Sequence, residues 1–250
     1  MKFINGNQFS SLPHAVLFDT DNTLYPYDVA HNAAQHAMRS KAVHTLTISP
    51  YQFDEAFQIA RSQIKKDLKQ TAASHSRLLY IQRVLELLGL GSQILLALDL
   101  EQTYWRTFLS KAELFDGVKE LLDDFRLLGI PTAIVTDLTA QIQFRKIIYF
   151  GLEHYFDFIV TSEEAGFDKP HSAPFQLALQ KMKPEGNNIW MIGDNAETDI
   201  LGAKRSIQAV TIQKIHHGVK IGEDDARPDA TFSQFSEVRK LIKNLSTKKI

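Results

Sequence analysis

The sequence predicts an α/β protein: a doubly wound, mainly parallel sheet with one all-helical insertion. Three observations predict it. Five short apolar runs each end in a polar turn, amphipathic helical stretches lie between them, and residues 28–111 contain no convincing strand. Apolar runs that do not alternate read as strands buried on both faces, and their alternation with helices marks parallel crossover units. In such sheets ligands bind at the carboxyl ends of the strands.

Taken in chain order, the elements begin after a polar N-terminus, Met1 to Gly6, which carries no apolar stretch long enough for a secretory leader. Ala15-Val16-Leu17-Phe18 is the first strand, ending on Asp19. Within the insertion, Leu78, Ile81, Leu85 and Leu88 form a helical stripe closed by Gly89, and Ile94 to Trp105 forms another. Further helices are expected on either side of Pro50, which would interrupt a continuous one. Val118 to Leu128 is amphipathic, with Val118, Leu121, Leu122, Phe125 and Leu128 on one face and Gly129 as its stop. Strands are expected at Ile130 to Thr136, Phe158 to Thr161, Ile189 to Gly193 and Ala209 to Ile212. A surface loop at Glu223 to Pro228, a short strand at Ala230 to Phe232, a helix at Phe235 to Leu245 and a frayed Lys248-Lys249 tail complete the reading. Residues 1–27 and 112–250 thus form an α/β core, and residues 28–111 an inserted helical domain.

Composition narrows the function classes. The 250 residues are 44% hydrophobic and 23% charged, the balance of an ordinary folded protein rather than a disordered one. A net charge of −1 lacks the basic footprint of a general nucleic-acid binder. Without cysteine there is no disulfide framework, thiolate nucleophile or cysteine-ligated metal. Apolar runs such as Ile94 to Leu98 fall far below the roughly 20 residues needed to cross a bilayer. The expectation is a cytoplasmic protein with neither nucleic acid nor membrane as a partner; oligomeric state is left open.

Four segments at strand ends carry candidate chemistry. In Asp19-Thr20-Asp21-Asn22-Thr23-Leu24 two carboxylates stand two residues apart, on one side of an extended chain. Like charges that close raise each other's pKa unless a cation intervenes or one acid stays protonated. The alternative is a turn whose Asp and Asn side chains bond local backbone. In Gly193-Asp194-Asn195-Ala196-Glu197-Thr198-Asp199, Gly193 permits close backbone approach and Asp194 ends a strand. Asp199 lies in the following helical turn, where an acid is also favoured by the helix dipole. Such hard oxygen donors suit Mg²⁺. Thr136 ends a third strand, with Asp137 after it, and Lys169 stands in Phe167-Asp168-Lys169-Pro170-His171 as a compact cation for a phosphoryl group. Taken singly, Thr136 reads equally as a strand-end cap and Lys169 as a surface residue.

The order and spacing of these four segments resemble the haloacid-dehalogenase (HAD) superfamily over nearly the whole chain, with the insertion where a helical C1 cap sits. The resemblance implies Asp19 as the nucleophile that forms an aspartyl-phosphate and Asp21 as general acid/base. It implies Thr136 and Lys169 on the phosphoryl oxygens, and Mg²⁺ held by Asp19, the Asp21 carbonyl and Asp194, with Asp199 behind them. Dehalogenases of the superfamily lack the second aspartate, so Asp21 favours phosphoryl chemistry. The stretch Asp21 to Pro26 resembles the N-acylneuraminate-9-phosphatase and pyrimidine nucleotidase branch. The expected activity is therefore Mg²⁺-dependent hydrolysis of a small phosphorylated metabolite: a sugar phosphate, a sialic-acid-like phosphate or a nucleoside monophosphate. A phosphomutase, a 2-haloacid dehalogenase and a non-catalytic metabolite-binding module are the alternatives.

One departure is Asp137, which stands where many relatives carry an uncharged residue and brings a further negative charge that faces the phosphate or turns outward. Asn22 is a candidate substrate contact. In the insertion, His75 and Arg77 are candidates for the leaving group, against the plainer reading of Ser74 as a helix N-cap with a solvated first turn behind it.

Overall fold

The computed structural model describes residues Met1–Thr247, so the Lys248-Lys249 tail lies outside the described residues. The chain divides into two compact units, one formed by Met1–Tyr25 with the chain from Leu114 onward, the other by Pro26–Glu113.

In the first unit seven strands form one sheet: β1 (Lys2–Phe3), β2 (Ala15–Phe18), β3 (Thr132–Thr136), β4 (Phe158–Thr161), β5 (Ile189–Gly193), β6 (Val210–Lys214) and β7 (Ala230–Phe232). Their spatial order is β1-β7-β6-β5-β2-β3-β4, and every pair is parallel except β1 with β7. Chain order runs outward from β2 through β3 to β4, then returns to β5 on the other flank of β2. That reversal is the topological switch point, where a crevice opens at the carboxyl ends. The strand Lys2–Phe3 has no counterpart in the sequence reading, because two exposed residues paired only at the sheet edge leave no apolar pattern.

Alternation inside the strands explains the core. Ala15 and Leu17, Ala133 and Val135, Ile189 and Met191 project to one face and pack with Phe175, Ala178, Met182 and Ala203. Phe175, Ala178 and Met182 lie on the helix Ser172–Met182. On the other face Phe18 meets Phe125 edge to face at 6.0 Å. With both faces covered, the strands are apolar at nearly every position, which is why they read as runs. The expected strands at 130–136 and 209–212 are Thr132–Thr136 and Val210–Lys214, and the closing helix extends to Thr247.

The second unit contains α1 (Tyr27–Leu46), α2 (Pro50–Leu68), α3 (Arg77–Leu87) and α4 (Ile94–Lys111). The expected break falls between α1 and α2, and Pro50 itself occupies the first turn of α2, where its missing N–H is harmless. Ser49 and Gln52 close that end as a reciprocal capping box. Small residues Ala30, Ala34 and Ala42 line the buried stripe of α1, so α4 packs closely with Leu100, Tyr104 and Phe108. The N-cap of α3 is Ser76, which accepts from the Leu79 N–H at 3.3 Å; Ser74 is buried two residues earlier, its carbonyl accepting from Tyr80 at 2.5 Å.

His31 on α1 shares its Nδ1 with the Tyr104 hydroxyl at 2.7 Å. Burial, together with Arg77 and Arg61, pushes its imidazole down from 6.5 to about 4. In the window between those values the unfolded chain takes up a proton at His31 that the folded chain does not, so this group's contribution lowers stability as pH falls through it. Thermal unfolding followed from pH 7.5 to 4 is expected to show a smaller acid loss in His31→Gln than in the parent chain; equal losses would contradict the burial of this ring.

Candidate active site

Parallel pairing puts Phe18 level with Ile134 of β3 and Ile192 of β5, so the three strands end within two residues of one another at the same edge of the sheet. The Asp19 N–H still donates to the Ile192 carbonyl at 3.0 Å, which fixes the carboxylate at the mouth of the crevice. Asp19 is buried, and both its oxygens are engaged: Oδ1 accepts from Lys169 Nζ at 2.7 Å and Oδ2 from the Thr23 hydroxyl at 2.9 Å. Lys169 reaches it from the loop before the helix Ser172–Met182 and donates equally to Asp199 Oδ1 at 2.6 Å.

Asp199 sits in a π-helical turn, Ala196–Leu201, opened by Asn195, whose side chain caps the Glu197 and Thr198 N–H groups. Its second oxygen accepts from the Asn195 N–H at 3.0 Å. Gly193 is needed beside it, since a Cβ there would fall 2.5 Å from both Asp199 Cβ and Oδ2.

Ligand atoms of Asp19, Asp194 and Asp199 all lie within 4.8 Å of one another. Burial, then the charges of Asp199 and Asp19, hold the Asp194 carboxyl up at about 9, against the opposing pull of Lys169. Burial likewise raises Asp19 to about 7 despite Lys169, with Asp199 and Asp21 adding repulsion. Among the described residues no hydrogen bond or ion pair engages the Asp194 carboxylate. Hard oxygens, mutual repulsion and one uncompensated acid together fit a small divalent cation.

Asp21 occupies a different environment. Burial favours its neutral form, but Lys146 opposes this with contacts of 2.8 and 3.1 Å to the two oxygens. Hydrogen bonds from the Tyr25 and Thr20 hydroxyls assist, and the carboxyl ends below its ordinary value. Asn22 follows in a left-handed conformation, φ 62°, in the turn that brings Thr23 back to Asp19 and Tyr25 back to Asp21.

Thr136 lies at the end of β3, buried, its hydroxyl 2.8 Å from that of Thr20 and accepting from Gln143 Nε2 at 2.9 Å. Asp137 turns toward the lysine loop: its Oδ1 accepts from the Lys169 N–H at 2.9 Å, and burial lifts its carboxyl to about 6 against the pull of Lys169. Its extra charge therefore tethers Lys169. His171 caps the following helix through Nδ1 to the Ala173 N–H at 3.1 Å and stacks on Phe167. His75 and Arg77 belong to the helical unit, where Arg77 donates to the His75 carbonyl at 2.8 Å and to the Tyr27 hydroxyl at 2.6 Å.

Lys146, Gln143, Tyr25 and Thr20 are site neighbours that the sequence reading missed. A signal existed for two of them. On the helix Ala140–Tyr149 the buried face consists of Ile142, Gln143, Lys146 and Ile147, so two polar side chains occupy an apolar stripe. Polar groups are kept there only with partners, and a functional site supplies them.

An acidic cluster with an embedded lysine at the switch point of a parallel sheet is the site of an α/β-class hydrolase. The haloacid dehalogenase-like hydrolase family profile matches residues 13–206. The ribulose-1,5-bisphosphate 5-phosphatase of Halopiger xanaduensis is 40% identical over 194 residues, covering 76% of this chain and 80% of that one. The glyceraldehyde 3-phosphate phosphatase of Methanocaldococcus jannaschii is 27% identical over 231 residues, covering 92% and 97%. Among solved structures, the 2-haloacid dehalogenase of Pseudomonas syringae superposes with a TM-score of 0.72 at 23% identity, covering 93% and 99%, a likeness of fold. The chain belongs to the haloacid dehalogenase-like hydrolase family, and it is a phosphoric monoester hydrolase of that family.

Two substitutions test the site's construction. Gly193→Ala is expected to displace Asp199 and lower phosphomonoester turnover by about tenfold or more while the chain stays folded by circular dichroism. Lys146→Met removes the cation beside Asp21; kcat is expected to fall about a hundredfold with KM changed by less than about threefold, since the loss falls on the reacting step rather than on binding.

Proposed function

We propose that this chain is a Mg²⁺-dependent phosphatase acting on a small phosphorylated sugar through an aspartyl-phosphate on Asp19. The observation that carries the reading is the contrast between two carboxylates two residues apart. Asp19 is buried against Lys169 among further acids, whereas Asp21 is drawn aside by Lys146. Paired acids in environments that pull their proton affinities apart are suited to separate roles.

Asp19 is assigned as the nucleophile. Its oxygen forms a bond to phosphorus in line with the ester oxygen, whose bond breaks. Lys169 and Thr136 hold the phosphoryl oxygens, where a fixed cation and a hydroxyl neutralise charge that develops in transfer. Asp21 gives the leaving oxygen its proton and later accepts one from the water that opens the aspartyl-phosphate. Alcohol and phosphate are released, and Asp19 is regenerated. A phosphomonoester has its second ionisation near pH 6, so its monoanion can bring the proton that Asp21 needs in the first step. Asp19, Asp194 and the Asp21 carbonyl are assigned to hold Mg²⁺, with Asp199 steadying Lys169 behind them; the ion would neutralise the acidic cluster and the phosphoryl charge.

Two relatives whose names give phosphorylated sugars, one at 40% identity, favour a sugar phosphate over a nucleotide or a sialic-acid-like phosphate. The helical unit, Pro26–Glu113, is assigned to substrate choice as the cap of this enzyme. Hydrolysis of p-nitrophenyl phosphate should require Mg²⁺, stop in EDTA and fall by at least about a thousandfold in Asp19→Asn. Undiminished turnover in either condition would refute the assignment.

A further inference from the structure

In the helical unit a cavity of about 730 Å³ is lined by residues of α1, α2 and α3. That volume lies within the range of small-molecule sites, roughly 300–1,000 Å³. Its wall carries three cationic side chains, Arg61, Lys65 and Arg77, against one carboxylate, Asp28. Among the described residues no carboxylate lies within ion-pair distance of Arg61 or Arg77. The Arg77 guanidinium is instead fixed by the Tyr27 hydroxyl and the His75 carbonyl. It lies 5.2 Å from the ring centre of Tyr104, 5.6 Å from that of Tyr80 and 6.0 Å from that of Trp105. On the same wall Gln35 Oε1 is buried without a hydrogen-bond partner.

A guanidinium held against aromatic faces has little freedom left to lose and presents its remaining donors in a fixed fork, the geometry that suits phosphate. Arg61 lines the same cavity with a hydrogen bond to Tyr80 but no carboxylate partner, and two cationic side chains lining one cavity without carboxylate partners are unfavourable until an anion joins them. The orphan amide oxygen asks for a donor, which a ligand hydroxyl supplies. We propose that this cavity binds the phosphate group of a small polyhydroxylated metabolite, with Arg61 and Arg77 donating to the phosphate and Gln35 Oε1 accepting from a hydroxyl. Only the choice of phosphate over other anions rests on the phosphatase reading above. The phosphate could belong to a second position of the substrate or to a separate molecule.

The chain has two tryptophans, so Trp190→Phe leaves Trp105 as a reporter beside Arg77. The EDTA-treated full chain carrying that change is titrated with inorganic phosphate and with ribulose 1,5-bisphosphate. Both should shift Trp105 emission saturably, and the bisphosphate dissociation constant should rise at least about tenfold in Arg61→Ala and in Arg77→Gln but not in Lys111→Ala, which lies outside the cavity. No saturable shift, or unchanged affinity in both arginine variants, overturns the proposal. Should the Trp190 variant fail to fold, hydrogen exchange of the unaltered chain reads the same event as ligand-induced protection of α2 and α3, and its absence is equally decisive. If the phosphate is the substrate's own, the preference in kcat/KM for the bisphosphate over ribulose 5-phosphate falls about tenfold in Arg61→Ala. If it comes from a separate molecule, the preference stays while Trp105 still reports binding. Turnover that survives Asp19→Asn would defeat the catalytic reading and leave these titrations untouched.

Discussion

The Asp19–Lys169–Asp199 ion pair is the constraint around which the first unit is arranged. One ammonium, almost wholly enclosed, lies 2.7 and 2.6 Å from two enclosed carboxylates. Such a group would be costly alone, since burial opposes the charge on every member. Together the partners hold the lysine charged, its affinity for a proton raised by Asp19, Asp199 and Asp137 in spite of burial. Much of the neighbouring structure follows: Gly193 makes room for Asp199, Asp137 fastens the Lys169 backbone, and Thr23 occupies the second oxygen of Asp19.

This network also separates the acids by electrostatic environment. With one lysine for Asp19 and Asp199, Asp194 is left as the member with no partner among the described residues, and its carboxyl is the most strongly raised of the site acids with stated values. Asp21 escapes the same fate because Lys146, buried on the helix Ala140–Tyr149, supplies a second cation. Two lysines thus divide a crowded set of carboxylates into a cluster that draws in positive charge and a detached carboxylate paired with its own lysine.

The two units place charge differently. At the sheet, acids exceed bases and invite a cation. In the helical unit, Arg61 and Arg77 lack carboxylates and invite an anion. A near-neutral chain conceals both, because a sum over 28 basic and 29 acidic residues carries no information about where they gather.

The sequence by itself determined the sheet, the helical insertion and the chemically relevant strand ends. Two-sided burial writes apolar runs into each parallel strand, and polar residues at their carboxyl ends stand out against that background. It also placed Asp19, Asp21, Thr136, Lys169 and Asp194 in one family pattern. It did not reveal the two-residue edge strand, whose pairing partner lies more than 200 residues away, or the start of α2 at Pro50, where a proline reads as a stop until the Ser49 cap is seen. Nor did it separate the bonding of Asp137 and Asp199 from that of ordinary surface acids. Lys146 and Gln143 left a trace as two polar residues on an apolar helix stripe, but their partners became visible only when the fold brought that face to Asp21 and Thr136, because an ion pair spanning 125 residues is not written locally. Local order is encoded by periodicity along the chain, whereas the electrostatics of the site arise from which distant charges the fold encloses together.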